Sequence, residues 1–364
     1  MSGGVDGEPA WGRRCSGIHC AAVSLPDHNR PHDSTFKLVF SRPENAFALL
    51  QAKLPAAVVD AIVPDSLEHE PSPGPDDELR ERFTDVLMRG RLRDGREVKV
   101  YFLLEHQHQP DPWMPLRVLG YLVRIWEDWR HKHPEAVRLP LVIPLVLHQG
   151  PGPWAAAQRL DELYDATPEL LAALGPTVPR LDLPFLDLGV RTPSMAGEIP
   201  GPPLARLTLV LLRGMADPEQ NLGDLLEAHA TLVVRLLRQP GGKGDLQRLI
   251  LYGVYVRKRV DVEALSERVR SFAGPEAGKV VMSTAQELIE KGEIQTLRRV
   301  LLELLEESFK TVPASAKERV ESASVSELNA WTRRVIHAKR LEDVFELPSK
   351  PGRRSPRRGK GGKR

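Results

Sequence analysis

The spacing of apolar residues changes period twice along the chain. From His32, the apolar positions Phe36, Val39, Phe40, Ala46, Phe47, Leu50 and Leu54 recur at helical intervals. Pro43 marks the start of a second helix, because proline is tolerated in a first turn and breaks a helix interior. Pro71 to Asp77 (PSPGPDD) reads as a surface loop. The period then shortens. Phe83 to Leu92 and Glu97 to Glu105 are rich in β-formers and are joined by Arg93-Asp94-Gly95-Arg96, a hairpin signal. In the second run Val98, Val100, Phe102 and Leu104 fall on one face, and Tyr101, Leu103, Glu105 and Gln107 on the other. Both faces stay apolar until Glu105, the pattern of a strand inside a sheet.

A helix is predicted from about Pro115 to His131, with Leu116, Leu119, Val123, Trp126 and Trp129 as its apolar stripe. Leu139 to His148 (LPLVIPLVLH) is a further buried strand, and Pro144 within it points to an edge position or a bulge. Helices, hairpin, helix and strand in this order give a mixed α/β core, a sheet flanked by helices. The Pro-rich stretch 176–203 reads as an irregular connector. Helical spacing then resumes over 204–216, 221–239, 245–258, 261–273 and 279–309, and the last third reads as a small helical bundle. The expected organisation is a disordered segment over 1–31, an α/β core over 32–175, the connector, a helical region over 204–292, a helical module over 293–346 and a basic disordered tail over 347–364.

Composition narrows the class. Hydrophobic residues make up 41% of the 364 positions and charged residues 27%, as in ordinary globular proteins. No apolar run reaches the ~18 residues of a membrane span, and the N-terminus lacks the apolar core of a secretory signal. Two cysteines, Cys15 and Cys20, exclude a disulfide framework, and a reducing cytoplasmic compartment is expected. Together with His19, His28 and His32 they match none of the usual zinc spacings. Charge is uneven. Residues 350–364 hold eight Lys or Arg and no acid, leaving 43 basic against 49 acidic side chains, a body near −6. Such a tail suits attachment to a polyanion by counterion release, although a solubilising terminus has the same composition.

Phosphodiester hydrolysis needs an activated water and charge neutralisation at the phosphate, which a divalent cation held by carboxylates supplies. Mg²⁺ takes only one or two protein carboxylates and keeps room for water and phosphate. A hairpin can deliver these ligands: Asp85 lies on its first strand (Thr84-Asp85-Val86-Leu87), and Glu105 ends its second (Leu104-Glu105-His106-Gln107). Glu105 and Gln107, two apart on a strand, share a face. On spacing alone, both acids are equally read as strand residues facing water.

Several motifs in order carry a resemblance. His32-Asp33-Ser34-Thr35-Phe36-Lys37 with Phe40, then Thr84-Asp85-Val86-Leu87, then Leu104-Glu105-His106-Gln107, then Met114, Arg117 and Tyr121, then Leu139-Pro140 to Gly150 with Trp154 resemble the Rpn (recombination-promoting nuclease, transposase-like) family. A looser likeness extends through Glu287–Gln295 and Leu301–Phe345. The resemblance implies a PD-(D/E)XK-type restriction-endonuclease core followed by an all-helical C-terminal region. It also implies Mg²⁺-dependent DNA endonuclease activity, with Mn²⁺ as a second candidate metal, linked to recombination and mobile elements. Asp85 and Glu105 would bind the metal, and Gln107 would stand where such sites usually carry Lys. Asp33, Lys37, Arg117 and Tyr121 are accessory candidates, and His32 is a further candidate for a phosphate or structural role. Gln can orient water and phosphate but brings no charge, so turnover is expected to be modest. The family's Tyr-His before Gly appears here as His148-Gln149-Gly150. His106 and His108 form a His-x-His pair with the spacing to hold a softer metal. The C-terminal helices are candidates for self-association. A catalytically silent DNA-binding or interaction protein on the same fold is the alternative.

Overall fold

The computed structural model describes residues 30–70, 84–105, 110–150, 152–189, 199–257 and 260–345. It divides the chain into two compact units, Met1–Met282 and Ser283–Arg364.

The first unit opens with α1 (Pro31–Phe40), α2 (Pro43–Lys53) and α3 (Ala56–Ala61). The hairpin follows as β2 (Thr84–Arg91) and β3 (Glu97–Glu105), preceded by the short β1 (Glu68–Glu70). Gly95 takes φ +87° in the turn, a conformation that L side chains rarely adopt. Helix α4 (Met114–Lys132) connects β3 to β4 (Leu141–His148), and β5 (Phe185–Asp187) comes after α5 (Pro168–Leu174). The sheet order is β1-β2-β3-β4-β5. Strands β1, β2 and β3 pair antiparallel, whereas β3, β4 and β5 are parallel. A parallel step needs a crossover, and α4 provides the one between β3 and β4. The expected class, a mixed sheet flanked by helices with a helical region after it, is the one observed.

Strand periodicity sorts the core into two layers. On one face Val86, Met88, Val98, Val100, Phe102, Leu104, Ile143, Leu145 and Leu147 are buried against α1, α2 and the helices that follow the sheet: α6 (Pro203–Ala216), α7 (Leu222–Ala228), α8 (Ala230–Leu237), α9 (Gly242–Arg257) and α10 (Val262–Ala273). These helices therefore share a core with the sheet. Arg42 reinforces the join, donating two hydrogen bonds to the buried Asp245 of α9 at 2.8 and 2.6 Å. That pairing raises the pKa of the Arg42 guanidinium. The other face is thinner. Leu87, Tyr101, Leu103, Val142, Val146 and Phe185 pack under α4 through Met114, Val118, Leu122 and Ile125.

Three expectations need correction. The buried face of α4 is Met114-Val118-Leu122-Ile125, while Leu116 and Val123 are exposed. Apolar residues also lie on its outer side in the first three turns, so their spacing alone does not choose the inward face. The stretch 176–203 contributes β5 rather than only a connector, through three residues between Pro184 and Leu188. The helix expected over 221–239 breaks at His229. Its ring Nδ1 lies 3.0 Å from the Leu225 carbonyl, the acceptor its own backbone N–H would use in a continuous helix; that N–H donates to Leu226 instead. Pro144, by contrast, behaves as expected. It lies where β4 pairs only with β3, because β5 reaches no further than Val146.

The second unit is built from the residues of α11 (Pro275–Phe309) after Met282, with α12 (Ala314–Ser322), α13 (Val325–Val335) and α14 (Leu341–Phe345). Leu301, Leu305, Val320, Leu328, Trp331, Val335 and Phe345 form its own core. Ser324 starts α13 with a capping box, accepting from the Glu327 N–H while the Glu327 carboxylate accepts from the Ser324 N–H. Arg319 lies over the rings of Trp331 and Phe345, at 5.5 and 5.1 Å. Among the described residues no helix is long and apolar enough to cross a membrane.

Candidate active site

The hairpin register decides whether the two acids can work together. Asp85 pairs with Leu103, so Glu105 lies two positions further along β3 on the same face. Diagonal neighbours of this kind are about 7–8 Å apart, a span that one cation held by an Asp and a Glu can bridge. Both positions share the α4 face with Leu87, Tyr101 and Leu103. The donor set is two carboxylates, which fits a hard divalent cation. Among the described residues no group of three metal-ligating side chains is assembled. Gln107, with His106 and His108, lies outside the described residues, as do the segment 1–29 and the basic tail.

The same end of the sheet carries two further polar residues. Glu105 pairs with His148 on β4, and His148 pairs with Asp187 on β5, so three polar positions form one row across three strands. His148 is 2% exposed. Its Nδ1 lies 3.9 Å from Asp187 Oδ1, an electrostatic contact longer than a hydrogen bond. Asp187 is itself fixed by the backbone N–H groups of Trp154 and Gly189, at 2.9 and 2.8 Å. Trp154 stands edge-on to the His148 ring at 5.2 Å, and Phe185 is stacked at 6.4 Å. A side chain at Gly150 would place its Cβ 2.6 Å from His148 Nε2, so only glycine leaves this ring its room. Sequence reading noted His148 only as a departure and missed Asp187, whose strand is too short to show a period.

The accessory candidates are distributed around this end. Arg117 donates from Nη1 to Asp111 at 2.8 Å, and Asp111 also accepts from the Trp113 N–H, which ties the first turn of α4 together. Tyr121 packs its ring 5.4 Å from Tyr101 of β3. Asp33 and His32 belong to α1, on the opposite face. Asp33 is buried. The His32 Nδ1 lies 2.9 Å from the Tyr252 hydroxyl and 3.0 Å from the Gln149 amide nitrogen. Gln149 Nε2 also donates to the Leu212 carbonyl at 2.6 Å. This buried network joins α1, the end of β4, α6 and α9. Burial pushes the Tyr252 phenol far above its ordinary pKa, against the opposing hydrogen bond from Gln149. Lys37 is exposed, and it lies near enough to His69 to add to burial in lowering that imidazole's pKa.

Lys99 is the polar exception within the sheet. It sits on the α4 face, almost fully buried, and donates to both carboxylate oxygens of Glu70 at 2.8 and 2.7 Å. Six positions before Glu105, it is about 20 Å away along the strand, beyond the reach of the acids.

Comparison with known proteins identifies the family. Residues 30–236, more than half of the chain, match the family described as "Putative transposase, YhgA-like". The chain is 33% identical over 141 residues to the recombination-promoting nuclease RpnD of Escherichia coli O157:H7, covering 38% of this chain and 53% of that protein. It is 30% identical over 128 residues to the recombination-promoting nuclease RpnA of Escherichia coli K12, covering 35% of this chain and 43% of that protein. A third relative, 31% identical over 138 residues (37% of this chain and 45% of that protein), is named the inactive recombination-promoting nuclease-like protein RpnE of the same strain. The chain spans about half the length of the curated relatives it matches, and no solved structure matches it. With the motifs from His32 to Trp154 arranged on one mixed sheet and its flanking helices, the chain belongs to the YhgA-like, Rpn-type family.

Proposed function

We propose that the chain is a divalent-metal-dependent endonuclease that hydrolyses DNA phosphodiesters with low sequence specificity, in a setting of recombination or mobile elements. The observation that carries this reading is the hairpin register, which brings Asp85 and Glu105 to one face and one end of the sheet. In this reading the two carboxylates hold Mg²⁺ or Mn²⁺, which supplies charge neutralisation at the phosphate and activation of water. Gln107, two residues beyond Glu105, orients the attacking water or a phosphoryl oxygen through its amide, without the charge a Lys would bring. Its neutrality predicts slow turnover. The buried network around Gln149 holds the end of β4 in place, and Asp111 fixes Arg117 at the start of α4, on the face of the acids. Arg117 is the cationic candidate there to meet phosphate. The eight basic residues of 350–364 add sequence-independent attraction to DNA.

The test is nicking of supercoiled plasmid by the purified chain with Mg²⁺, with Mn²⁺ and with EDTA, beside Asp85→Ala and Glu105→Ala. Metal-dependent nicking lost in both variants supports the enzyme. DNA retarded on a gel without cleavage in any metal replaces it with a DNA-binding protein that has kept the fold and lost the chemistry.

A further inference from the structure

We propose that His148 is a third, nitrogen ligand of the cation held by Asp85 and Glu105, and that it biases the site toward Mn²⁺ over Mg²⁺. The inference rests on the reading of those two carboxylates as metal ligands, and it adds a residue and a metal preference to it.

Three observations support it. The first is register. His148 is the direct partner of Glu105 across the β3–β4 ladder, on the same side of the pleat as Asp85. Adjacent strands lie about 4.8 Å apart, so position 148 is nearer to Glu105 than Asp85 is. The second is the far side of the ring. Asp187, next in the same row, sits 3.9 Å from His148 Nδ1 and is anchored by two backbone N–H groups. Histidines that bind metals usually present one nitrogen to the ion while a carboxylate or carbonyl behind them sets the tautomer and the ring angle. Asp187 is placed to do this through Nδ1, which assigns Nε2 to the metal. The third is packing. Trp154 and Phe185 flank the imidazole, and Gly150 packs against its Cε1–Nε2 edge, where any Cβ would clash, so the ring is held in one place.

The metal preference follows from donor chemistry. Mg²⁺ favours an all-oxygen shell and gives up its waters reluctantly. Along the first-row series Mn²⁺ accepts carboxylate oxygens and, more readily than Mg²⁺, an imidazole nitrogen. Two carboxylates with one imidazole suit Mn²⁺ better than two carboxylates alone.

The experiment measures Mn²⁺ and Mg²⁺ binding to the full-length chain by calorimetry without DNA, and records pulsed electron paramagnetic resonance of the bound Mn²⁺. The wild type is compared with His148→Gln, His148→Phe, Asp187→Asn and Asp85→Ala. The expected results are a ¹⁴N coupling on Mn²⁺ in the wild type that disappears in His148→Gln, and a Mn²⁺ affinity about 10–100-fold weaker in both His148 variants. Mg²⁺ affinity is expected to change by less than about threefold, and Asp187→Asn to weaken Mn²⁺ about tenfold. The wild-type spectrum decides the matter even if a variant misfolds: bound Mn²⁺ without a nitrogen coupling overturns the inference. A coupling that survives in His148→Gln, or equal losses for both metals, overturns it too. In each of these cases loss of binding in Asp85→Ala leaves the carboxylate site standing. A wild type that binds neither metal, or an Asp85→Ala variant that binds as well as the wild type, removes the carboxylate site and the inference together.

Discussion

Along β3, the even-numbered positions 98, 100, 102 and 104 carry Val, Val, Phe and Leu, all buried beneath several helices. The odd positions 99, 101, 103 and 105 carry Lys, Tyr, Leu and Glu on the other face, where Tyr101 and Leu103 lie beneath the single helix α4. One strand thus serves a thick face built for stability and a thin face that also accommodates charge. A face covered by many helices leaves no water to solvate a carboxylate, and an unpaired buried charge is very costly. The acids proposed to hold the metal lie on the thin face, at the end where α4 begins, whereas the buried Asp245 on the thick side is neutralised by Arg42.

Substitutions on the two faces should separate activity from stability. The largest effect is expected on the thin face, on activity. Glu105→Gln should cost about 3 kcal/mol or more of transition-state stabilisation, at least about 100-fold in plasmid nicking, with the melting temperature nearly unchanged. An equally large fall in melting temperature would mean that Glu105 is a structural residue. Phe102→Ala, three residues back along β3 on the thick face, should cost about 3–5 kcal/mol in urea unfolding, through the cavity it leaves. If it behaves like a surface change, the division between the faces fails. The buried pair Lys99–Glu70 tests how charge is tolerated beneath α4. Lys99→Ala should cost about 2 kcal/mol by stranding Glu70, whereas Lys99→Met with Glu70→Leu should be close to neutral. A double variant as unstable as the single one would show that the pair contributes more than mutual neutralisation. The smallest effect is expected at the far end of the hairpin. Gly95→Ala should cost about 1 kcal/mol, because alanine is strained at φ +87°, and should leave nicking per folded molecule unaltered.

How much of this was legible in the sequence depended on how local each signal is. The hairpin declared itself because Asp94-Gly95 and the period of two agree within one short window, and that window also orders Asp85 and Glu105. The helices after Leu204 were legible for the same reason. The inward face of α4 was not, since Trp113, Leu116 and Val123 are as apolar as the residues it buries and only the sheet chooses among them. Strands β1 and β5 have three residues each, too few to show a period. The row Glu105–His148–Asp187 exists only through pairing of three strands that lie far apart in the chain, and no local pattern reports it. His32, read in the sequence as a candidate for a phosphate or structural role, meets Tyr252 and Gln149 in a buried network that no local pattern reports.

The mixture of antiparallel and parallel pairing also fixes an order in time. Asp85 and Glu105 are joined through one tight turn, and hairpins of this kind close in about 1–10 μs. His148 reaches Glu105 only after the whole α4 crossover has been laid down, and such non-local pairing is the slower part of folding. The two carboxylates thus meet early and the histidine arrives late. If all three hold the metal, a newly made chain completes its ligand set only in its last steps, and the preference between metals is settled later than the pairing of the two carboxylates.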